Sequence, residues 1–563
     1  MLTFNIVLKL LPLKMIKIFN LFVMLHVLTL SAQQVKKPKL VIGIVVDQMR
    51  YDYLQKFKKQ FGSKGFNRII KNGTTYENAH FNYIPTYTAV GHASIYTGTT
   101  PKNHGIIGNN WYDKYNDKSV YVVHDNSYKT IGSFSNEGKR SPKRLIASTV
   151  SDQLKLAQHF KGKVIGIAIK DRSAILPVGH AADIAYWFDG GKIGNWVSSS
   201  YYTEVLPSWV SLYNTLNKLK LSEYLTSPWV TRKKIHKYTE SRDDFSEYEG
   251  RFNGEEKPVF PHDLGALKDK NGTYDLLKNT PFGNTMTLDF AKEIVKNETL
   301  GKSKKYSDFL AISISSTDYI GHKYGAGSKE IEDAYIRLNN DLNDFINYLN
   351  RKVGNKNYVM FVTADHGVVE IPNYLMEHKI PGGYFSKKEL FIKLNQFMDK
   401  TYGSYSLIKD YSNEQIFLDH IEIDKLGLKL EEVQNQLINE IVTYPNVHRA
   451  VSAYAMQNAE FTKSPLSLLQ EGYHQKRSGD ILLTLEPTVI SDYYTKTGTT
   501  HGSGYNYDTH IPILFYGGNI KKGKKVKRPV NITQIAPTLS NILQIQEPNM
   551  SSHEILTEIF ESN

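Results

Sequence analysis

Four short runs of apolar, largely β-branched residues set the architecture: "LVIGIVV" (Leu40 to Val46), "KVIGIAI" (Lys163 to Ile169), "FLAISIS" (Phe309 to Ser315) and "YVMFVT" (Tyr358 to Thr363). Runs this short and this continuously apolar suit strands buried on both faces of a parallel sheet. Amphipathic stretches separate them, such as "EIEDAYIRLNNDLNDFINYLN" at 330–350, with apolar residues at helical spacing. The alternation predicts an α/β fold, a mostly parallel central sheet with helices on both faces. Near the end, "HIPILFYGG" reads as a further strand and "NITQIAPTLSNIL" as a helix.

The residues directly after these strands carry the chemistry. The first run leads into Asp47, the second into Lys170 and Arg172, the third into Asp318 and His322, and the fourth into Asp365 and His366. In an open α/β sheet, ligands bind beyond the carboxyl ends of the strands. Four strand ends therefore supply charged or metal-binding groups to one sheet edge. The spans near 187–281 and 367–479 are less regular and are expected to be insertions forming a cap over one catalytic domain, 33–563.

Residues 1–32 stand apart: Lys14 and Lys17, an apolar run from Leu21 to Leu30, then Ser31 and Ala32. That layout predicts a secretory signal peptide, with Met1 or Met15 as its start, and a periplasmic or secreted protein with no membrane attachment after cleavage. An exported chain often carries disulfides, yet Cys is 0, so any metal must be held by Asp, Glu, His or a hydroxyl. The formal charge of +13 invites a nucleic-acid reading. The lysines are spread along the chain, however, and the densest run, "IKKGKKVKR" at 520–528, is expected to be a solvated hairpin turning at Gly523. No nucleic-acid partner is expected, and a monomer is the working expectation.

Taken singly, each acidic or imidazole group has a structural explanation, since an Asp after a strand often caps a helix. Together with His501, the set Asp47, Asp318, His322, Asp365 and His366 suits zinc or a similar divalent ion. Six protein ligands are too many for one tetrahedral zinc, so two ions are expected. Two ions about 4 Å apart can clamp the attacking and leaving oxygens of a displacement at phosphorus. Thr88, in "PTYTAVGHASIYTG", stands at the predicted first turn of a helix. There, a nearby metal lowers the hydroxyl pKa and the helix end adds positive potential, so Thr88 would be the attacking oxygen. His92, four residues on, is read as packing beneath the site; His104, His180 and His510 are assigned local hydrogen bonds only.

The order of "VVDQMRYDYL", "PTYTAVGHASIYTG", "NHGIIGNNWYD", "IAIKDRSAILPVGH", "TPFGNTMTLDFA", "STDYIGHKYG", "TADHG" and "THGSGYNYDTHIPILFYG" resembles the alkaline phosphatase superfamily, specifically its secreted zinc-dependent branch with a Thr nucleophile. The resemblance covers most of the mature chain and implies a three-layer α/β/α sandwich. It implies two Zn2+ per chain, one held by Asp318, His322 and His501, the other by Asp47, Asp365, His366 and Thr88. It also implies a covalent phosphothreonine, with Lys170, Arg172 and Asn109 on the phosphoryl oxygens; Asn110, one position on, is the alternative to Asn109.

Charge separates the candidate substrates. Three carboxylates and a Thr88 alkoxide balance two zinc ions, so a dianionic phosphate monoester needs further cations. Lys170 and Arg172 supply two, spaced i and i+2 and expected to point the same way from a strand end. The expectation is a broad phosphate monoester hydrolase; the alternative is a phosphodiesterase or nucleotide pyrophosphatase of the same superfamily. Sulfatase chemistry needs a Cys or Ser where Thr88 stands, and a non-catalytic binding protein would have no reason to keep the whole set.

Overall fold

Residues Leu40–Val46 form β1, every residue of which is buried. In a computed structural model, which describes residues 37–404, 406–551 and 554–560, parallel strands flank β1 on both edges. The signal peptide expected at 1–32 lies outside the described residues.

The main sheet has eleven strands. In chain order they are β1, β2 (Gly73–His80), β3 (Thr130–Ile131), β4 (Val164–Ala168), β5 (Ile184–Asp189), β6 (Asn195–Ser199), β7 (Asp308–Ile314), β8 (Tyr358–Thr363), β9 (His510–Gly517), β10 (Lys524–Val526) and β11 (Val530–Asn531). Their spatial order is β10-β2-β9-β8-β1-β7-β4-β5-β6-β3, with β11 also on β2. The five strands from β8 to β5 are mutually parallel, and β9 runs antiparallel between β8 and β2. Strands β1, β4, β7 and β8 are buried throughout, as strands covered by helices on both faces must be. The result is a three-layer α/β/α sandwich with a mostly parallel sheet, and the four apolar runs form its centre.

Gly43 shows how tightly the layers approach. A Cβ there would lie 2.4 Å from Tyr96 Oη and 2.6 Å from Phe361 Cζ. The helix α1 (Thr88–Thr97), which carries Tyr96, is buried at every residue. Its mix of small and apolar residues lets it sit directly on the sheet, which fixes Thr88 at the sheet edge.

The basic run at 520–528 is not a hairpin. Gly523 turns at φ +65, but the following strand β10 pairs in parallel with β2, on the opposite side of β2 from β9. The chain steps over one strand because β9 already occupies the near edge.

Two stretches elaborate the sandwich. From 187 onward the chain first completes β5 and β6 before entering a helix, Ser208–Thr226, and extended loops to 263. Further on, strands Ile408–Ser412, Gln415–Leu418, Ile481–Leu485 and Val447–Ser452 build a four-stranded antiparallel sheet. With helices Lys387–Tyr402 and Leu430–Ile441 it encloses its own core around Leu390, Leu394, Met398, Leu437 and Ile481. Its two-residue turn, Asn413 and Glu414, reaches the sandwich: Asn413 Nδ2 donates to Asn110 O at 2.7 Å and Tyr87 Oη to Glu414 Oε2 at 2.9 Å.

Candidate metal centre and nucleophile

Asp47, His322, Asp365, His366 and His501 converge on one pocket at the carboxyl edge of the sheet, around Asp318. His322 Nε2 lies 3.1 Å and His501 Nε2 3.6 Å from Asp318 Oδ1. His366 Nε2 lies 3.3 Å from Asp47 Oδ1 and 3.6 Å from Asp365 Oδ2. Two donor groups result, Asp318/His322/His501 and Asp47/Asp318/His366, the donor atoms of each lying within 4.8 Å of one another. Asp318 belongs to both, whereas Asp365 turns its Oδ2 toward His92 Nδ1 at 3.2 Å.

Each imidazole is oriented by a backbone carbonyl. Nδ1 of His322 faces Thr499 O at 2.8 Å, that of His366 faces Gly367 O at 2.9 Å, and that of His501 faces Thr86 O at 2.8 Å. A ring donating from Nδ1 to a carbonyl presents its Nε2 lone pair inward, the arrangement that suits a metal ligand. The rings of His366 and His501 stack at a centroid separation of 3.4 Å.

Electrostatics test the fit. Three carboxylates are buried against one ammonium, that of Lys170, whose Nζ lies 2.7 Å from Asp47 Oδ2 and 2.6 Å from Asp318 Oδ2. Burial, then the Asp365 charge, pushes the Asp47 carboxyl up. Burial opposes the Asp318 charge too, but His322 and Lys170 hold Asp318 well below the usual carboxylate range. Burial works against a protonated His366 as well, yet Asp365 and Asp47 raise it to about 9. Asp47 Oδ1, Asp365 Oδ2 and His366 Nε2 are buried and, despite their ion-pair contacts, make no well-aligned hydrogen bond. Inward-facing orphan donors of oxygen and imidazole nitrogen, in excess negative charge, fit divalent cations of the zinc type.

Thr88 is the first residue of α1, and Tyr87, not Thr88, occupies the cap position, with no side-chain cap bond. The Thr88 hydroxyl is therefore not consumed in capping the helix; Lys170 Nζ lies 3.4 Å from its Oγ1. Asn109 Oδ1 accepts the Ala89 N–H at 2.9 Å, which brings the Asn109 amide beside the nucleophile's helix end. Asn110 is exposed.

Arg172 reaches the neighbourhood by a different route from the one expected. β4 ends at Ala168, and Lys170 precedes a short helix, Asp171–Ile175, in which Arg172 is the second residue. Tyr121 accepts from Arg172 Nη1 at 3.3 Å and donates to Asp171, which Arg140 also grips. Arg172 is close enough to Lys170 for its charge to oppose that of the ammonium.

Some contributors were not legible from the sequence. Gln48, at φ +66, donates its N–H to Asp365 Oδ1 at 3.2 Å and its Nε2 to Asp318 Oδ1 at 2.8 Å, tying two aspartates together. Adjacency to Asp47 was its one signal. His92 lies beneath the site, between Thr88 O at 2.8 Å and Ser313 Oγ at 3.0 Å. His104 bonds nearby in the chain, to Ser94, whereas His180 reaches Leu145 O and His510 reaches Glu77 O on the neighbouring strand β2, not the local bonds expected of them. A groove of about 870 Å3 opens from Tyr319 and His322 to solvent.

Fold and site together define a metal-centred hydrolase scaffold, and the chain belongs to the type I phosphodiesterase / nucleotide pyrophosphatase family of the alkaline phosphatase superfamily, whose model matches residues 41–506. Among its relatives, a protein named calcium-transporting ATPase from Myroides odoratus is 42% identical over 521 residues, 92% of this chain and 94% of that one. The alkaline phosphatase PafA of Elizabethkingia meningoseptica is 41% identical over 529 residues, 93% of this chain and 95% of that one. The crystal structure of wild-type PafA superimposes with a TM-score of 0.89 at 39% identity, covering 94% of this chain and all of that one. A solved variant of PafA carries threonine-to-serine, asparagine-to-alanine, lysine-to-alanine and arginine-to-alanine changes.

Proposed function

We propose that the protein is an exported alkaline phosphatase, hydrolysing phosphate monoesters of broad structure through a phosphothreonine at Thr88. In this reading Asp318, His322 and His501 hold one Zn2+, and Asp47, Asp365, His366 and Thr88 Oγ hold the other. When bound, the two ions supply the positive charge that acidifies the Thr88 hydroxyl and offsets the charge of the departing alcohol.

The chain's own groups then divide the work. Thr88 Oγ, its proton released to solvent, forms a bond to phosphorus as the bond to the alcohol oxygen breaks, and the alcohol leaves with a proton taken from solvent. Lys170, Arg172 and the Asn109 amide meet the phosphoryl oxygens, where charge-assisted hydrogen bonds are strongest. The N-terminal end of α1 adds positive potential at the same place. Water hydrolyses the threonine ester, restoring Thr88 and releasing inorganic phosphate.

One observation carries the monoester reading: a buried ammonium, Lys170 Nζ, stands 3.4 Å from Thr88 Oγ1, with Arg172 nearby. A dianionic ester gains from these two cations far more than a monoanionic diester does. The spacing of the PafA variant also supports it, since its altered threonine and asparagine stand as far apart as Thr88 and Asn109, and its lysine and arginine are two apart like Lys170 and Arg172. That interval favours Asn109 over Asn110.

The diesterase reading rests on the family's description. For the transport named for the Myroides relative, no helix among the described residues is long and apolar enough to cross a membrane. The deciding experiment compares Lys170→Ala with Arg172→Ala on aryl monoesters and aryl diesters. Monoester kcat/KM is expected to fall about a hundredfold to a thousandfold and diester kcat/KM much less; equal losses overturn the monoester reading.

A further inference from the structure

A second cavity, of about 410 Å3, lies beside His501, enclosed between the loop 500–508 and the inserted antiparallel sheet. Its walls combine tyrosine rings (Tyr87, Tyr505 and Tyr507) with the carboxyls of Glu414 and Asp508, and Glu486 stands exposed at its rim. No described lysine or arginine lines it, although the chain has 69 of them. The rest of the wall is largely aliphatic, with Leu483, Leu485, Val489 and Ile490 among it, so the ionisable groups other than His448 and His501 are all acidic or phenolic.

These groups are fixed in place. Asp508 is 1% exposed. Its Oδ2 accepts from the Gly502 and Ser503 N–H groups at 3.1 and 2.8 Å and from Ser503 Oγ at 2.6 Å, while Oδ1 has no hydrogen-bond partner. Asn413 and Glu414 both sit at φ +55, a left-handed turn that disfavours glutamate, and the Tyr87 hydroxyl holds the Glu414 carboxyl there. The Tyr505 hydroxyl donates to Leu485 O at 2.8 Å and the Tyr507 hydroxyl accepts the Thr488 N–H at 3.0 Å, so both rings are pinned.

A buried carboxyl oxygen without a partner, as Asp508 Oδ1 is, is costly unless a donor or cation meets it. Aromatic rings attract organic cations, and tyrosines with nearby carboxyls suit an ammonium that is too bulky to be a metal ion. The cavity also adjoins the reaction centre. Tyr87 precedes Thr88, and His501 turns Nε2 toward Asp318 while its ring lines the cavity. Tyr494 lines both this cavity and the open groove, whose walls differ in mixing Arg251, Lys257, Lys323 and Lys496 with Glu247, Glu249 and Glu256.

We propose that this cavity receives the ammonium head of a phosphate monoester of an amino alcohol while its phosphoryl group lies at Thr88. The assignment rests on the phosphatase reading above and names a substrate class for it. The ammonium is held by Glu414 and Asp508 and by the tyrosine rings; the linking carbons pass His501.

The test compares choline phosphate with its uncharged isostere neohexyl phosphate on the full chain loaded with zinc. The kcat/KM ratio is expected to favour choline phosphate by about tenfold, the factor that one partly desolvated cation contact supplies. Glu414→Gln and Asp508→Asn are each expected to bring the ratio toward one. Because Asp508 also anchors the 502–503 backbone, Val489→Trp, which fills the cavity, is the second variant and is expected to lower the ratio likewise. Calorimetric binding of choline alone is measured in parallel, and Glu414→Gln should weaken it. A wild-type ratio of one, or a preference that survives all three variants, overturns the cavity assignment while phosphate release continues. Should neither ester be hydrolysed, the phosphatase reading fails, and choline binding that responds to Glu414→Gln still upholds the cavity as an ammonium site; absence of binding overturns it.

Discussion

Lys170 Nζ bridges Asp47 Oδ2 and Asp318 Oδ2 at 2.7 and 2.6 Å, so one ammonium stands between two buried carboxylates that belong to the candidate metal centre. Removing one partner of a buried charge cluster costs about 3–5 kcal/mol, because the remaining charges lose their compensation. Divalent cations on the same carboxylates supply that compensation independently. Lys170→Ala is therefore expected to lower the thermal midpoint strongly in chelator and much less in excess zinc, as read by calorimetry in both buffers. The wild type should itself melt higher in zinc, since a ligand bound only by the folded state stabilises it.

Gly91 is expected to tolerate no side chain. It lies one turn into α1, where a Cβ would stand 2.2 Å from the Asp365 carbonyl oxygen, a backbone atom that cannot swing away. Gly91→Ala must push α1 from the strand end that carries Asp365. We expect a loss of about 3 kcal/mol or more in denaturant unfolding, with a fall in kcat for whatever protein folds, because Thr88 moves with the helix.

Asn109→Ala separates binding chemistry from stability. Asn109 is only half-buried, so water replaces its bond to the Ala89 N–H and the stability change should stay within about 1 kcal/mol. The rate should nonetheless drop about tenfold to a hundredfold through loss of a donor to the transferring group. Steady-state kinetics beside urea unfolding checks both halves.

A pH effect on stability should arise away from the metal centre. His262 is wholly buried, 2.7 Å from Glu255 Oε1 and 3.2 Å from Glu330 Oε1. Burial opposes its charge, but these two carboxylates raise it to about 9 from 6.5. The stability it contributes is complete below pH 6.5 and is lost as the pH rises through 9, roughly 3 kcal/mol in all. Glu249, pushed up to about 9 from 4.5 by burial and then by Glu330, acts in the same direction, since below pH 9 the folded state keeps a proton that the unfolded chain has already given up. The unfolding free energy should fall between pH 6.5 and 9.5, and His262→Gln should flatten much of that slope.

The parts of this fold visible in the sequence were those governed by local pattern. Four continuous apolar runs admit little but buried strands, and the polar residue after each had to fall at the sheet edge, which is why Asp47, Asp318 and Asp365 could be placed together. Interactions between distant segments left no such mark. Gln48 ties Asp318 to Asp365 only because the chain turns at φ +66, which nothing in "VVDQMR" announces. Arg172 is expected to point with Lys170 from a strand end, yet β4 stops at Ala168 and a short helix carries Arg172. The basic run at 520–528 had the composition of a hairpin, and its pairing was decided by β9 already lying against β2. Glu414 meets Tyr87 across 327 residues, a separation at which periodicity carries no information.

The central claim is that Thr88 Oγ is the attacking atom. The most direct measurement is acid-quenched turnover of an aryl monoester by the zinc-loaded chain, followed by mass spectrometry of its peptides and zinc analysis of the same preparation. A phosphate ester confined to the peptide containing Thr88, two zinc ions per chain, and turnover reduced at least a thousandfold in Thr88→Ala would agree with the account. Turnover in Thr88→Ala comparable to the wild type, with no labelled threonine in either protein, would contradict it.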